Sequence, residues 1–431
     1  MQGDTRWPER PPHPVPGVDR ADPAPGVDRA DPAPGADRAN PPLDPTPRGP
    51  LCGLKVLELG QLIAGPFAAK TLADFGADVI KVEPPGSGDP LRQWRLVQDG
   101  TSVWWQVQSR NKRSVALDLK RADDVAVVRQ LAASADVLIE NFRPGAMESY
   151  GLCPQALLAA HPRLIVLRVS GYGQTGPYRD KPGFGVVAEA MGGLRHLSAE
   201  PGRTPVRVGV SIGDTLAALH GVIGVLMCLH ERHASGRGQV IDVALYESVF
   251  NCMESLLPEY SAAGVVRGPA GSALPGIAPS NAYLCADGHA LVAGNGDSIF
   301  KRLMAAIGRP DLAADPALAH NAGRVARVAE IDAAIGRFTA PRSVAEVLAA
   351  LDAAGVPAGR IYTVADIAAD PHYQARGMLQ ALALPGGNTL TVPGVVPLLS
   401  RTPGGQHHLA PALGQDTADV LQALQGQPHT D

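Results

Sequence analysis

Asp214 is the residue of this chain best placed to do chemistry. It follows Gly213 in the run Val208-Gly-Val-Ser-Ile-Gly-Asp214-Thr-Leu-Ala-Ala-Leu, where an apolar segment passes into an apolar helix. Over 215–233 the residues Leu216, Leu219, Ile223, Leu226 and His230 recur at three- and four-residue intervals, a stripe that needs burial. A carboxylate just ahead of such a helix sits at its electropositive end, where the dipole and free amides favour the anion, so Asp214 is expected to stay ionised. Two roles fit that position: an N-cap, which Asp fills readily, or a carboxylate nucleophile. Position alone favours the cap.

Other residues of chemical type are weaker. Gly171-Tyr-Gly-Gln-Thr-Gly176 matches G-x-G-x-x-G, but loop text (Pro177-Tyr-Arg-Asp-Lys-Pro182) follows where a dinucleotide site needs a helix, so nicotinamide binding is not expected. At 136–145 a buried-strand pattern ends in Glu140, Asn141, Phe142 and Arg143. An amide, a ring and a guanidinium there suit a ligand with a base and phosphates, and they equally suit an ordinary turn before Pro144. Trp94, Trp104 and Trp105 either line a pocket or pack a core. His230-Glu231-Arg232-His233 lacks zinc-protease spacing, and neither G-x-S-x-G nor a Walker loop occurs, so metal and serine chemistry are disfavoured.

These residues need elements to hold them. Near-continuous apolar runs at 54–60, 77–83, 113–119, 136–140, 163–170 and 239–245 read as strands. Helical patterns at 66–75, 122–135, 145–161, 215–233 and from Tyr246 alternate with them. That alternation predicts an α/β fold with a doubly wound parallel sheet, and ligands of such sheets bind at the carboxyl ends of the strands. After a Gly/Pro-rich stretch from Gly264 to Pro279, 281–292 reads as a hairpin closed by Asp287-Gly288, with helices at 299–307 and 344–355. The division expected is a Pro-rich tail at 1–50, a large domain from 51–265 plus 366–431, and a smaller one at 270–365. The tail carries a decaying nine-residue repeat, PGVDRADPA, that cannot bury apolar surface.

Composition bounds the partners. The 431 residues are 45% hydrophobic and 19% charged with net charge -4, ordinary for a soluble globular chain, which argues against nucleic acid or an anionic membrane surface. Cys52, Cys153, Cys228, Cys252 and Cys285 are scattered and form no C-x-x-C pair, so neither disulfides nor zinc are expected. No apolar leader opens the chain, and the run 216–229 is too short to cross a bilayer. A cytoplasmic protein without metal is the expectation.

LKVLELGQLIAGPFAAKTLADFGADVIKVEPPGSGDPLRQW, NKRSVALDLK, ADVLIENFRPGAMESYGL, SGYGQTGPY and VGVSIGDTLAALHGVIGVLMCLHERHASGRGQVIDVALYES, in that order, strongly resemble the family III CoA-transferases. That family includes formyl-CoA, carnitine and dicarboxylate CoA-transferases. The resemblance implies a Rossmann-like large lobe built from both ends of the chain, a small middle lobe, and two ring-like chains interlocked as a homodimer. It implies an acyl-CoA donor, a carboxylic acid acceptor, coenzyme A as co-substrate, and Asp214 as the acyl-carrying aspartate. CoA contacts would fall at Leu62, Ile63 and Ala64, at Pro84, at Leu117, Asp118, Leu119 and Lys120, at Asn141, Phe142 and Arg143, and at Pro182, Gly183, Phe184 and Gly185. Ile63 stands where some members have glutamine, and Pro84 and Ser149 where arginines are common. Arg92, Lys112, Arg143 and Arg179 are therefore the candidates for the CoA phosphates. An α-methylacyl-CoA racemase, whose histidine position falls at Gly183, and a non-enzymatic acyl-CoA-binding module are the alternatives. The small-lobe text at 274–288 lacks a glycine run, which turns the expectation from formate or oxalate toward succinate, glutarate or malate.

Overall fold

The computed structural model describes residues 49–425; the repeats of the tail lie outside the described residues. The chain opens with β1 (Lys55–Glu58), α1 (Ala64–Asp74), β2 (Asp78–Glu83), β3 (Lys112–Ala116), α2 (Ala122–Ser134), β4 (Val137–Glu140) and β5 (Ile165–Ser170). It continues through α3 (Gly185–Met191), α4 (Ile212–Ser235), β6 (Val240–Ala244) and α5 (Leu245–Phe250). The six strands form one parallel sheet in the order β3-β2-β1-β4-β5-β6. This is the doubly wound order, and its switch point lies between β1 and β4.

Both sheet faces are covered, which explains why the strands are apolar throughout rather than alternating. Val56, Val79, Ile139, Leu167 and Val169 point to the face carrying α1 and α4. Leu57, Val82, Val115, Leu138 and Val166 point to the other, with Val128 and Leu131 of α2. Glycine lets α4 approach closely: a Cβ at Gly221 would lie 2.8 Å from Leu167, and one at Gly224 3.0 Å from Ile241. The helix gives up some intrinsic propensity there in exchange for contact with the sheet.

α4 also begins earlier and runs longer than its text implies. It spans 24 residues and is long and apolar enough to cross a membrane by length and composition. Its apolarity has a packing origin on one side, where Ala217, Ala218, Val222 and Val225 are buried against the sheet. On the other side Leu219, Ile223, Leu226 and Met227 stay exposed.

Two further readings need correction, one of a helix and one of a strand. The text 145–161 forms two short helices, Ala146–Ser149 and Pro154–Ala160, because Gly151 turns the chain at φ +73° between them. β3 stops at Ala116, and after Leu117 the chain turns over Asp118–Arg121.

A second core forms farther along, on β7 (Ser280–Cys285), β8 (Gly288–Ala293), α6 (Asp297–Ala306), α7 (Val328–Thr339), α8 (Val344–Ala353) and β9 (Ala358–Arg360). The strands make an antiparallel sheet in the order β9-β8-β7, covered by Phe300, Leu303, Ile331, Ile335, Val347 and Leu351. Gly288 pairs with Cys285, so the hairpin turn is Ala286-Asp287, one residue earlier than its Asp-Gly text indicates. A Ser343–Glu346 capping box starts α8.

After the hairpin β10 (Leu379–Ala383) and β11 (Thr389–Pro393), the chain returns to the parallel sheet. Asn111 donates to the Gly405 carbonyl, Trp105 Nε1 to the Pro411 carbonyl, and Ser114 N to the Asp416 carboxylate at 2.8–3.1 Å. α9 (Thr417–Gln425) then lays Val420 into the α2 face of the sheet.

Ion pairs buried at the carboxyl ends of β1–β3 lock this edge. Lys81 Nζ lies 2.7 Å from Glu58 and 2.9 Å from Asp89, all three side chains fully or almost fully buried. Burial opposes the Lys81 ammonium, but Glu58, Asp89 and Glu83 outweigh it and hold its pKa above the ordinary lysine range. Removing the cation would leave the carboxylates facing one another in a dry interior. Lys81→Met is therefore expected to destabilise the fold by about 3–5 kcal/mol. A urea titration followed by circular dichroism measures it.

Candidate active site

A cavity of about 430 Å³ opens at the switch point, lined from the ends of β1, β4 and β5 and from the start of α4. Its wall at β1 is the segment Gln61–Ala64. Leu62 there adopts a left-handed φ of +65°, which a residue with a branched side chain holds only under constraint. The constraint is Asp89, whose carboxylate accepts from Leu62 N at 3.1 and 3.2 Å. Burial would raise the Asp89 pKa, but Lys81 and these amides keep it below the usual carboxylate range. The buried ion pairs thus reach the cavity wall through Asp89.

Asn141 ties the two central strands together. Its amide accepts from Gln61 N and donates to Gln61 O, both at 2.8 Å. That side chain faces the cavity, yet both its polar atoms are engaged with main chain, so its first task is structural. Phe142 N donates to Glu140 at 2.7 Å, and Arg168 donates to the same carboxylate at 2.7 Å. Burial pushes Glu140 up to about 7 against those hydrogen bonds. The Phe142 ring meets Tyr150 edge-on at 5.9 Å and lines the cavity beside Arg143.

Asp214 stands at the cavity floor, and the sequence reading of its setting needs two corrections. It is not the N-cap: that position is Ser211, and Asp214 is the third residue of α4. Thr215 N is already bonded to Ser211 O, so the free amides at this end of α4 are those of its first residues. Nor does Asp214 have an ordinary acidity. Burial and the neighbouring Glu189 push its carboxyl up to about 6, while Arg207 pulls the other way. Desolvation by the packed wall outweighs the favourable end of the helix dipole.

The wall beside it is Gly185. A Cβ on Gly185 would sit 2.0 Å from Asp214 Oδ2, so only glycine lets α3 pass this carboxylate. Gly171 and Gly183 meet in the same fashion, a Cβ on one lying about 3 Å from the other's Cα, which brings the loop after β5 over the site. The G-x-G-x-x-G text is part of that loop; Gln174 N donates to Asp242, and no helix follows until α3.

Charge is sorted across the cavity. Asp214 is the single carboxylate on its wall among the described residues, while Arg95, Arg143, Arg179, Lys181 and Arg207 all line it. Arg143, Arg95 and Lys181 have no carboxylate partner among the described residues; Arg179 lies 3.2 Å from Asp180. Two phosphate candidates read from the sequence are placed elsewhere. Arg92 is buried in a two-point pair with Glu83 at 2.7 and 2.8 Å, and Lys112 is buried against Glu58 at 2.8 Å. Burial lowers Lys112 to about 8 despite Glu58.

The cavity brings together Leu62, Ile63, Ala64, Asn141, Phe142, Arg143, Gly183, Phe184, Gly185 and Asp214. Pro84, Leu117, Asp118, Leu119, Lys120 and Pro182 do not line it. Pro84 begins the turn after β2, where its carbonyl accepts from Gly88 N, and Leu117 N donates to Glu83 O beside β3. Asp118 N is bonded to Asp124, and Lys120 is exposed on the same turn. Sequence reasoning passed over Arg95, Lys181, Arg207 and Glu189. Arg95 follows Trp94, which does line the cavity, whereas Trp105 is buried in the core. That neighbour was the available signal.

An open parallel α/β sheet with one carboxylate set among cations at its switch point is an architecture suited to binding an anionic ligand. The chain belongs to CoA-transferase family III, whose model matches residues 51–417. It is 47% identical to succinyl-CoA–D-citramalate CoA-transferase of Chloroflexus aurantiacus over 387 residues, covering 89% of this chain and 96% of that one. It is 35% identical to succinate–glutarate CoA-transferase of Agrobacterium fabrum, covering 88% and 97%. The crystal structure of a CAIB/BAIF family protein from Brucella suis superposes with a TM-score of 0.77 at 36% identity, covering 88% of this chain and all of that one.

The raised Asp214 acidity makes a stability prediction. A carboxyl held at about 6 in the folded state and near its ordinary value when unfolded binds its proton more tightly when folded. Its contribution is therefore fully present below about pH 4 and is lost as pH rises through 6. Asp214→Asn removes the buried anion and should stabilise the fold by about 3 kcal/mol at pH 7.5, with the gain shrinking toward pH 4. Thermal melts of both proteins across this range check the sign.

Proposed function

We propose that this CoA-transferase moves CoA from succinyl-CoA, or a similar short acyl-CoA, to a small dicarboxylic acid, with Asp214 as the acyl carrier. The observation that carries this reading is Asp214 itself, alone as a carboxylate on a wall otherwise lined by cations and apolar groups. The names of the similar curated proteins, succinyl-CoA to citramalate and succinate to glutarate, favour dicarboxylates. Racemisation is disfavoured: no histidine lines the cavity among the described residues to act as the second base.

The ionised Asp214 attacks the thioester carbonyl; the tetrahedral oxyanion collapses with loss of CoA thiolate and leaves a mixed anhydride on Asp214. The thiolate then attacks the aspartyl carbonyl and expels the donor acid, giving an aspartyl-CoA thioester. The acceptor carboxylate attacks that thioester, releasing the thiolate and forming a second anhydride. Thiolate attack on the acceptor's carbonyl yields the new acyl-CoA and restores the Asp214 carboxylate. Each step exchanges one acyl bond for another, so no ATP is consumed. With Asp214 at about 6, most of the enzyme holds the anion at neutral pH without a general base. Arg95, Arg143, Arg179 and Lys181, at the cavity and mostly free of carboxylates, suit the phosphates of CoA. The edge turns at Pro84 and Leu117–Lys120 extend the same strand ends and suit the remainder of the cofactor.

Residues 51–265 with 366–431 as a large lobe, 270–365 as a small one, and an interlocked homodimer complete the reading. Support for the dimer comes from the outer face of α4, where Leu219, Ile223, Leu226 and Met227 are 41–65% exposed. Apolar side chains on one continuous face suit a self-associating interface. The free thiols Cys52, Cys153, Cys228, Cys252 and Cys285 fit a cytoplasmic setting.

Three experiments test this. Asp214→Ala should lower label exchange between succinyl-CoA and glutarate or malate by at least about 10³-fold with circular dichroism unchanged, as for loss of a covalent nucleophile. Mass spectrometry of wild type quenched in turnover should find the acyl or CoA adduct on the peptide containing Asp214; an adduct elsewhere removes the mechanism. Ile223→Asp with Met227→Lys should convert a dimer to monomer by light scattering. Wild type running as a monomer would remove the dimer reading.

A further inference from the structure

Glu189 is the one acidic residue of α3 and is 1% exposed, yet neither of its carboxylate oxygens has a hydrogen-bond partner. A buried carboxylate in that condition is costly. Its nearest cation is Arg207, with Nη2 3.5 Å from Oε1. On its other side it packs against Gly213, where a Cβ would lie 3.4 Å from Glu189 Cγ. Gly185, one helical turn before Glu189, is the residue pressed against the Asp214 carboxylate. One turn of α3 therefore lies along the first turn of α4 and brings two carboxylates to a shared dry boundary. Arg207 comes from an exposed segment as their common counter-charge.

Arg195, whose buried Nε has no hydrogen-bond partner, and His196 sit on the short helix Leu194–Leu197 that follows α3; the charged groups on the other neighbouring elements are engaged or lie across the cavity. On α1, Lys70 is paired with Asp74 at 2.9 Å. On α5, Glu247 is exposed and accepts from Tyr246. On β5, Arg168 is paired with Glu140; on β6, Asp242 accepts from Gln174 N. His220, on α4 itself, contacts the Leu216 carbonyl. Arg203 shares the segment of Arg207, and Arg95, Arg143, Arg179 and Lys181 line the cavity.

We propose that Glu189 is a positioning residue whose buried carboxylate, balanced by Arg207, sets the electrostatic field in which Asp214 attacks and is regenerated. The proposal rests on reading Asp214 as the acyl carrier. A negative neighbour raises the energy of the Asp214 anion and leaves the neutral anhydride and thioester forms nearly untouched. Attack then relieves a repulsion, and the free carboxylate lies closer in energy to the activated esters it must form. Arg207 limits the penalty so that the anion still dominates at neutral pH.

The test uses E189Q and R207Q, each with and without Asp214→Asn, in the full chain. One readout is the acid limb of kcat/KM for succinyl-CoA with glutarate. The other needs no catalysis: the pH dependence of the difference in thermal midpoint between each protein and its Asp214→Asn partner. E189Q should move both midpoints to lower pH by on the order of one unit and lower the rate plateau; R207Q should move both to higher pH. If E189Q loses its fold, R207Q carries the test alone, since its side chain is 42% exposed. Unmoved midpoints in folded variants, with an adduct on Asp214, overturn the role of Glu189 and leave the nucleophile intact. Moved thermal midpoints with no adduct overturn the nucleophile, and this role with it.

Discussion

The close pass of the Asp214 carboxylate by Gly185, where a Cβ would lie 2.0 Å from Oδ2, is the constraint around which the site is arranged. It requires α4 to sit deep on the sheet, which Gly221 and Gly224 permit, and α3 to cross its first turn without a side chain in the way. The close pass of Gly171 and Gly183 then folds the loop after β5 over the same place. The anion is partly desolvated as a result, and the carboxyl becomes a weaker acid. Helix-end position, the feature first visible in the sequence, contributes less than the dryness of the wall.

Two sets of cations divide the labour at the carboxyl edge of the sheet. Lys81, Arg92 and Lys112 are sunk beneath it and paired with Glu58, Asp89 and Glu83. Their work is to hold backbone: Lys81 reaches the Gly60 carbonyl, and Asp89 fixes Leu62 in a conformation it would otherwise leave. Arg95, Arg143, Arg179 and Lys181 stay in solvent on the rim. The inner set cannot meet a ligand without breaking the fold, and the outer set contributes little to stability because its charges are hydrated.

The parallel sheet was legible because burial on two faces writes itself as unbroken apolar strands, as in Ile165–Ser170. The Asp214 segment was legible through its glycines, but the stripe expected to be buried was misread: Leu219, Ile223 and Leu226 form the exposed face of α4, and burial falls on the smaller Ala217, Ala218, Val222 and Val225. What escaped depends on contacts between distant segments. Nothing near Arg92 or Lys112 in the chain announces that Glu83 and Glu58 will claim them. The start of α4 was misplaced because Ser211-Ile212-Gly213 is weak helical text whose backbone is organised by tertiary packing. Glu189 reads as an ordinary helical glutamate until α3 is laid across α4. The helix α7 was missed because Gly336 interrupts its pattern, although its Ile331 and Ile335 are fully buried.

The closing helix α9 has a consequence for how the molecule is made. Val420 and Leu424 complete an apolar layer whose other members, Val115, Val128 and Leu138, are synthesised some three hundred residues earlier. While the ribosome is still translating, the edge of that layer beside β3 and α2 therefore lies open to solvent and to other chains. Late capture of so remote a segment is slow because a very long loop must close. Production of this enzyme should thus lean on holdase chaperones during translation, and truncations that remove α9 should aggregate rather than lose only one helix.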